Sequence, residues 1–185
     1  METQEELTLA QLKSAETEAV QLPWSQNCYL CGEGNPLGLQ LKFKRDGDKV
    51  YTEYSVDNRR EGYHGLVHGG IVAALLDESM GWAVALSIGR MCMSAEVTIR
   101  YLKPLPVDTK IVVSAKPGRW SRRLGHAEAE VRGVDGTLYA RASGKFLPLS
   151  LEQTLQVDSM LIYPDGAESI FSELRDELHG KDEDD

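Results

Sequence analysis

The sequence of 185 residues contains only three cysteines, an odd number and too few for a disulfide framework. It also lacks an apolar run suited to a membrane. The longest mainly apolar segment, 69–88, holds Asp77 and Glu78 near its middle, where lipid would tolerate two carboxylates only at high cost. The opening residues METQEELTLAQ place acids where a signal peptide needs basic and apolar side chains. These absences predict a cytoplasmic protein without a membrane partner.

An excess of basic residues is absent as well, and the distribution of charge excludes another class of partner. The total charge of −9 comes from the two ends: residues 1–20 carry −4 and residues 165–185 carry −7, which leaves +2 for residues 21–164. Acidic ends on a nearly neutral body do not suit a nucleic acid. The weakly basic body is compatible with one small anionic ligand, although phosphate-loop and dinucleotide-binding glycine motifs are missing.

The hydrophobic pattern divides the chain into three parts. Residues 1–22 predict a short helical extension that ends before Pro23, and residues 151–185 predict an acidic extension with a helix over 167–178. Between them, residues 23–150 contain a loop rich in glycine, asparagine and proline, then two strand-like runs, a long helix that is apolar on almost every face, and four more strand-like runs. The six runs are Gln40–Arg45, Lys49–Val56, Ser94–Leu102, Lys110–Lys116, Gly125–Arg132 and Leu138–Leu147.

The order of these elements predicts an α+β fold. Strands and helices do not alternate along the chain, which argues against a parallel doubly wound sheet. A helix that is apolar nearly all round is buried on most of its sides. The simplest arrangement is therefore one antiparallel sheet wrapped around a single long helix, with short helical extensions at both ends of the chain.

Three segments of the central part carry a resemblance to a known family. They are Val67-His68-Gly69-Gly70 with the residues that follow through Glu78, the run from Ser94 to Pro104, and Cys28-x-x-Cys31-Gly32 with Asn35-Pro36-x-Gly38-Leu39. Over roughly residues 24–148 the chain resembles the hotdog-fold acyl-CoA thioesterases, most closely the PaaI type and the related 4-hydroxybenzoyl-CoA thioesterases. The resemblance implies a hotdog fold and hydrolysis of an acyl-CoA substrate to a carboxylate and free CoA. It implies no metal and no cofactor, since CoA is part of the substrate.

The glycine pair at the start of the predicted helix supplies the first part of a candidate site. The N–H groups of Gly69 and Gly70 are unpaired at a helix N-terminus and feel the positive end of the helix dipole. Without Cβ atoms, both residues let a substrate approach the backbone closely. Such donors suit a thioester oxygen, which becomes negatively charged during acyl transfer. A tight turn that simply requires glycine explains the same two residues.

Asp77 is the candidate catalytic carboxylate. A carboxylate within an apolar helix is costly unless it is paired or functional. The resemblance selects the acid nine positions after the histidine of the motif, which is Asp77, and leaves Glu78 as the second choice. Asp77 would act as a general base on water or attack the thioester to form an anhydride. Because the two acids lie about 100° apart on a helix, only one is expected to face the site.

The resemblance also implies a role for Ser94, and two histidines near the glycine pair are further candidates. Ser94 is expected to orient the attacking water. Family members often carry asparagine or glutamine six residues before the motif histidine, where this chain has Gly62. His64 is therefore a candidate substitute near the carbonyl group. His68 is expected to orient the loop rather than transfer a proton.

Arginines and cysteines give two further predictions. Arg119, Arg122 and Arg123 lie in the turn PGRWSRRL and are candidates for binding the phosphates of CoA, because free guanidinium groups bind phosphate well. An ordinary charged turn is the alternative. Cys28 and Cys31 lack the second ligand pair that a structural zinc site usually has. The sequence therefore predicts a turn of small residues at this pair and no metal.

The spacing between Gly69 and Asp77 predicts the assembly. Eight residues of helix separate them by about 12 Å, whereas the nucleophile must come within about 3 Å of the polarised carbonyl carbon. One chain cannot supply both groups to one thioester, so we expect a homodimer with two shared sites, as the resemblance also implies; a dimer of dimers is the larger alternative. Two other functions on this fold stay open, namely an acyl-thioester dehydratase or hydratase and a non-catalytic acyl-CoA sensor or assembly module.

Overall fold

Alternating side-chain types give the central segments their strands, and β8 (Leu138–Pro148) shows the pattern clearly. Ala140, Ala142, Gly144 and Phe146 are buried, whereas the residues between them are more exposed. This period of two places one row of small or apolar side chains on the core face of a sheet and the polar row on the other face.

A computed structural model describes residues 19–165, 167 and 170–174. The other strands are β1 (Val20–Gln21), β2 (Trp24–Ser25), β3 (Lys44–Asp46), β4 (Lys49–Ser55), β5 (Cys92–Tyr101), β6 (Lys110–Ser121), β7 (Leu124–Gly133) and β9 (Leu161–Ile162). The helices are α1 (Gly69–Ile88) and α2 (Leu151–Asp158), with a 3₁₀ turn at Asn58–Arg60. Seven strands form an antiparallel sheet in the order β1-β3-β4-β6-β7-β8-β5, and β2 pairs with β9.

Helix α1 crosses the concave face of this sheet and contacts β4, β5, β6, β7 and β8. Small residues on the sheet let it come close. A Cβ atom added at Gly125 would lie 2.5 Å from Cγ1 of Val84 on the helix. Leu75, Leu76 and Met80 are fully buried on the helix side of this contact. The core is therefore the layer between α1 and the sheet.

The ends of α1 follow from local chemistry. The side chain of His68 caps the N-terminus, and Gly89 ends the helix in the left-handed conformation at φ 65°, which glycine adopts without strain. Within the part of the chain that the structure describes, α1 is the one helix long and apolar enough to cross a membrane by length and composition. Half of that apolar stretch is buried against the protein, as in a core helix.

The predicted α+β fold is confirmed, as are five of the six strand-like runs with ends shifted by a few residues. The remaining run, predicted over Gln40–Arg45, overlaps only β3. Its apolar residues Leu41 and Phe43 are buried in the core but lie outside a strand. The predicted helix at the N-terminus lies outside the described residues up to residue 18. Its last part is wrong: Val20 and Gln21 form β1, which pairs with β3.

The C-terminal extension is more closely attached than its acidic composition predicts. Helix α2 has a capping box in which Ser150 and Gln153 bond each other's backbone, and β9 then pairs with β2 near the N-terminus. Phe171 is 1% exposed. Most of the predicted helix over 167–178 lies outside the described residues.

Candidate active site

The carboxylate of Asp77 and the hydroxyl of Ser94 form the centre of the candidate site. Ser94 Oγ donates a hydrogen bond of 2.6 Å to Asp77 Oδ1. A bulge in β5 makes this contact, because the pairing with β8 shifts between Ser94 and Glu96. Ser94 pairs with the inward Phe146, whereas Glu96 pairs with Lys145 and bonds its ammonium group at 2.9 Å. The bulge thus turns Ser94 towards α1 and leaves Glu96 on the outer face.

The two glycines at the start of α1 have different environments. The N–H of Gly70 donates to Nδ1 of His68 at 2.9 Å, so it is already used by the cap. A Cβ atom at Gly70 would lie 2.9 Å from that nitrogen, which explains the second glycine without a substrate. Among the described residues, the N–H of Gly69 has no hydrogen-bond acceptor. Gly69 is therefore the available donor at this helix terminus, and His68 is the residue that caps it.

Tyr101 is a residue of this region that the sequence reasoning gave no role. Its hydroxyl donates to the carbonyl oxygen of Gly69 at 2.9 Å, and its ring stands 3.6 Å from the place where a Cβ atom at Gly69 would be. The phenol therefore fixes the first turn of α1 against the end of β5. No local motif marks the residue, because the contact joins positions 32 apart in the sequence.

The two halves of the predicted site line separate cavities. One cavity, of about 250 Å³, lies at the helix N-terminus and is lined by Gly69, Tyr101 and Lys103 among others. The other, of about 170 Å³, is lined by Asp77 and Ser94 together with residues of the N-terminal loop and α2. The cavities share no lining residue. Within one described chain, the free helix-terminal donor and the carboxylate do not meet.

Glu78 and two cysteines border the Asp77 cavity from the other side. Cys28 Sγ lies 3.9 Å from Glu78 Oε1, and both residues line the same cavity as Asp77. Both acids therefore line one cavity, whereas the sequence predicts that only one of them faces the catalytic site. The cavity extends around the helix, from β5 on the Asp77 side to the N-terminal loop on the Glu78 side.

The charges of this cluster depend on one another. Burial raises the pKa of Glu78 to about 7, and the neighbouring Cys28 adds to the increase. The hydrogen bond with Cys31 lowers the pKa of Cys28 to about 5, assisted by backbone N–H groups of the loop, and correspondingly raises the pKa of Cys31. Cys28 is therefore the thiolate of the pair.

The remaining predicted residues lie at the surface. The imidazole of His64 is fully exposed, and its Nδ1 stands 3.7 Å from Glu61 Oε2. Arg119 lines a groove on the outer face of the sheet with Lys116 and Lys145. Arg122 and Arg123 are exposed at the turn between β6 and β7. The described contacts do not join any of these four predicted residues to Asp77 or Gly69.

Comparisons with known proteins agree with this fold. Residues 64–140 match the family model described as the thioesterase superfamily. Acyl-coenzyme A thioesterase THEM4 of Bos taurus is 30% identical over 95 residues, which cover 51% of this chain and 38% of the relative. Acyl-coenzyme A thioesterase THEM5 of Homo sapiens is 31% identical over 122 residues, which cover 65% of this chain and 49% of the relative. The chain thus spans less than half the length of these curated relatives.

A solved structure of a thioesterase superfamily protein shares the architecture. It superposes with a TM-score of 0.62 at 25% sequence identity, covering 66% of this chain and 60% of that protein. The central region has both the sequence signature and the hotdog fold of the thioesterase superfamily, which confirms the resemblance drawn from the HGG motif and the strand that follows α1.

Proposed function

We propose that this protein hydrolyses an acyl-CoA thioester to a carboxylate and free CoA, with Asp77 as the catalytic carboxylate. The observation that carries the proposal is the hydrogen bond from Ser94 to Oδ1 of Asp77, on a helix whose N-terminus offers the unpaired N–H of Gly69. Relatives that are about 30% identical over half of the chain or more are named acyl-coenzyme A thioesterases. A carboxylate and a fixed N–H donor are the two groups that this reaction needs.

The exposed edge of the sheet supports a site shared by two subunits. β5 is the last strand of the sheet and carries Met93 at 63% and Tyr101 at 53% exposure, an edge that invites pairing with another strand. A two-fold axis near Val97 and Thr98 would pair β5 with its copy in antiparallel fashion. The Ser94 end of one strand would then lie opposite the Tyr101 end of the other. Because Tyr101 bonds Gly69 and Ser94 bonds Asp77, this pairing joins the two half-sites.

The chemistry follows from these positions. Ser94 donates a hydrogen bond to Oδ1 of Asp77, which leaves Oδ2 to act as the base. Oδ2 takes a proton from a water molecule while the oxygen of that water attacks the thioester carbonyl carbon. The N–H of Gly69 from the partner subunit stabilises the oxyanion that forms. Collapse of the tetrahedral intermediate breaks the carbon–sulfur bond, and the proton on Asp77 passes to the departing sulfur. The products are a carboxylic acid, which ionises, and CoA thiol.

The other expectations concern cofactors, location and the binding of CoA. The proposed reaction uses no metal or cofactor, and the cytoplasmic location without a membrane partner stays a prediction from the sequence. The groove lined by Arg119, Lys116 and Lys145 also contains Glu96 and Glu128, and its three basic side chains are the candidates for binding the phosphates of CoA. Arg122 and Arg123 lie on the turn next to it and are exposed, so they would contact those phosphates only from the rim.

The test combines two inactive variants in one dimer. Gly69→Val blocks carbonyl approach at the donor, and it should fold because the nearest atoms to an added Cβ, on Tyr101, lie at 3.6 Å. Asp77→Asn removes the carboxylate. Each homodimer should be nearly inactive in a free-thiol release assay with a panel of acyl-CoAs. In a purified heterodimer one site carries both changes and the other carries neither, so activity per heterodimer should return to about half of the wild-type value.

Two results would contradict the proposal. A heterodimer as inactive as both homodimers would exclude the shared site, and the reaction would then need a different nucleophile within one subunit. Saturable binding of acyl-CoA by the wild-type protein without release of thiol would instead favour the non-catalytic sensor.

A further inference from the structure

The N-terminal loop holds Cys28 and Cys31 in a turn whose backbone faces the first sulfur. The N–H of Leu30 donates to Cys28 Sγ at 3.3 Å, and the backbone N–H groups of this turn help to lower the pKa of that thiol. Gly32 is required there, since a Cβ atom would lie 2.5 Å from the carbonyl oxygen of Cys28. An N–H group that donates to the sulfur stabilises a thiolate, which is the form that binds metals.

Glu78 on helix α1 places a third possible metal ligand beside the two cysteines. The two sulfur atoms and a carboxylate oxygen of Glu78 all lie within 4.8 Å of one another, although Glu78 is 50 residues from Cys28. A tetrahedral zinc site places two sulfurs about 3.8 Å apart and sulfur and oxygen about 3.6 Å apart, from its usual bond lengths. The observed 3.9 Å between Cys28 Sγ and Glu78 Oε1 is close to that value.

The negative groups at Glu78 and Cys28 would also be stabilised by a cation. None of the ion pairs formed by the described residues includes Glu78, so its partly buried carboxylate stands beside sulfur rather than beside a basic side chain. Burying a carboxylate next to a thiolate is costly unless a retained proton or a cation compensates the two charges. A divalent cation would compensate them together.

We propose that Cys28, Cys31 and Glu78 form a binding site for one Zn²⁺ ion per chain. Soft thiolates with a carboxylate suit zinc rather than magnesium or calcium. The fourth position of the tetrahedron opens into the 170 Å³ cavity that these residues line, where water completes the coordination. Binding leaves the displaced thiol protons to the solvent. The ion fastens the N-terminal loop to α1, one residue from Asp77.

This site lies outside the reaction proposed above, and its test does not use the substrate. The reduced, chelator-treated protein is titrated with Zn²⁺ in competition with a chromophoric chelator, and with Co²⁺ as a spectroscopic probe. We expect one Zn²⁺ per chain, a rise in melting temperature on binding, and a thiolate-to-cobalt charge-transfer band in the Co²⁺ form.

Matched variants identify the ligands. Cys28→Ser, Cys31→Ser and Glu78→Gln should each weaken zinc binding by at least about a hundredfold, the upper end of the loss seen for outer-shell partners, and the two serine variants should lose charge-transfer intensity. Glu78→Gln keeps the shape of the side chain and guards against a misfolded serine variant. The control is Cys92→Ser, since Cys92 lines the same cavity but bonds the carbonyl of Gly81 and lies outside the three-residue cluster. It should bind zinc as the wild type does.

Three outcomes would overturn the proposal. The reduced wild-type protein fails to bind Zn²⁺, or Glu78→Gln binds it with unchanged affinity, or Cys92→Ser loses it to the same extent as Cys28→Ser. A protein that hydrolyses acyl-CoA yet binds no zinc would refute this inference alone, and a zinc-binding protein without hydrolysis would refute only the proposed function.

Discussion

The hydrogen bond between Ser94 and Asp77 gives a prediction whose size can be worked out. Ser94→Ala removes a donor that stands 2.6 Å from Asp77 Oδ1. A hydrogen bond to a charged group contributes about 1.5–3 kcal/mol, and each 1.4 kcal/mol of barrier is a factor of about ten in rate. If Ser94 orients the carboxylate for the chemical step, kcat for thioester hydrolysis should fall by about 10- to 150-fold, with little change in KM. Asp77→Asn should cost at least about a hundredfold.

A double-mutant cycle separates this role from a merely structural one. Because Ser94 acts through Asp77, adding Ser94→Ala to Asp77→Asn should lower kcat by less than about threefold. The control is Ser55→Ala, an exposed serine on β4, which should change kcat by no more than about twofold. Thiol release under saturating acyl-CoA measures kcat for the wild type and the four variants. The reasoning fails if Ser94→Ala leaves kcat unchanged, or if it costs as much in the Asp77→Asn background as in the wild type.

Two predictions concern stability. Gly125→Ala forces a methyl group to within 2.5 Å of Val84 and should lower the free energy of unfolding by about 1–3 kcal/mol. The matched variant Gly81→Ala has its nearest neighbour at 3.8 Å and should raise the free energy of unfolding by up to about 1 kcal/mol, because alanine favours the helix. Urea denaturation that orders the two variants otherwise would refute the packing between α1 and the sheet. Asp57 caps the 3₁₀ turn and bonds Arg59 and Arg60, and the hydrogen bond with Arg59 lowers the pKa of its carboxyl to about 2. Its contribution is therefore fully present above the unfolded value of 3.8 and is lost as the pH falls towards 2. Asp57→Ala should cost about 1 kcal/mol at pH 7 and progressively less below pH 4, and a melting-temperature difference that does not shrink in acid would contradict this origin.

The fold could be predicted because, within each segment, the pattern of apolar residues matches the element that the segment forms. The strands show a period of two, α1 is apolar on almost every face, and the HGG motif marks the start of α1 within one residue. Elements held by distant partners were predicted poorly. Val20 and Gln21 read as helix but form a strand, because β3 offers them backbone partners, and pairing between remote segments overrides local preference.

In the candidate site, too, the sequence indicated residues that lie within one segment and missed those whose contacts join distant segments. Gly69, His68 and Asp77 were predicted from one segment, because the histidine and glycine mark the start of an apolar helix and the resemblance selects Asp77 by its spacing from that histidine. Tyr101 and the cluster of Glu78 with the two cysteines were missed because their contacts join residues 32 and 50 positions apart. The sequence showed one cysteine pair and no second pair of ligands, and it gave no sign that a glutamate on the helix lies beside them.

The contact between Ser94 and Asp77 depends on one unpaired residue in β5, Ala95. In a regular strand Ser94, Glu96 and Thr98 would share a face, and Ser94 would lie with Glu96 on the outer side, away from α1. Ala95 has no partner of its own on β8, so the alternation is reset. Val97 and Ile99 then pack against the core on the same side as Ser94. The strand thereby presents a polar group to Asp77 at one end and Tyr101 to Gly69 at the other, which is the placement that a site shared across a two-fold axis requires.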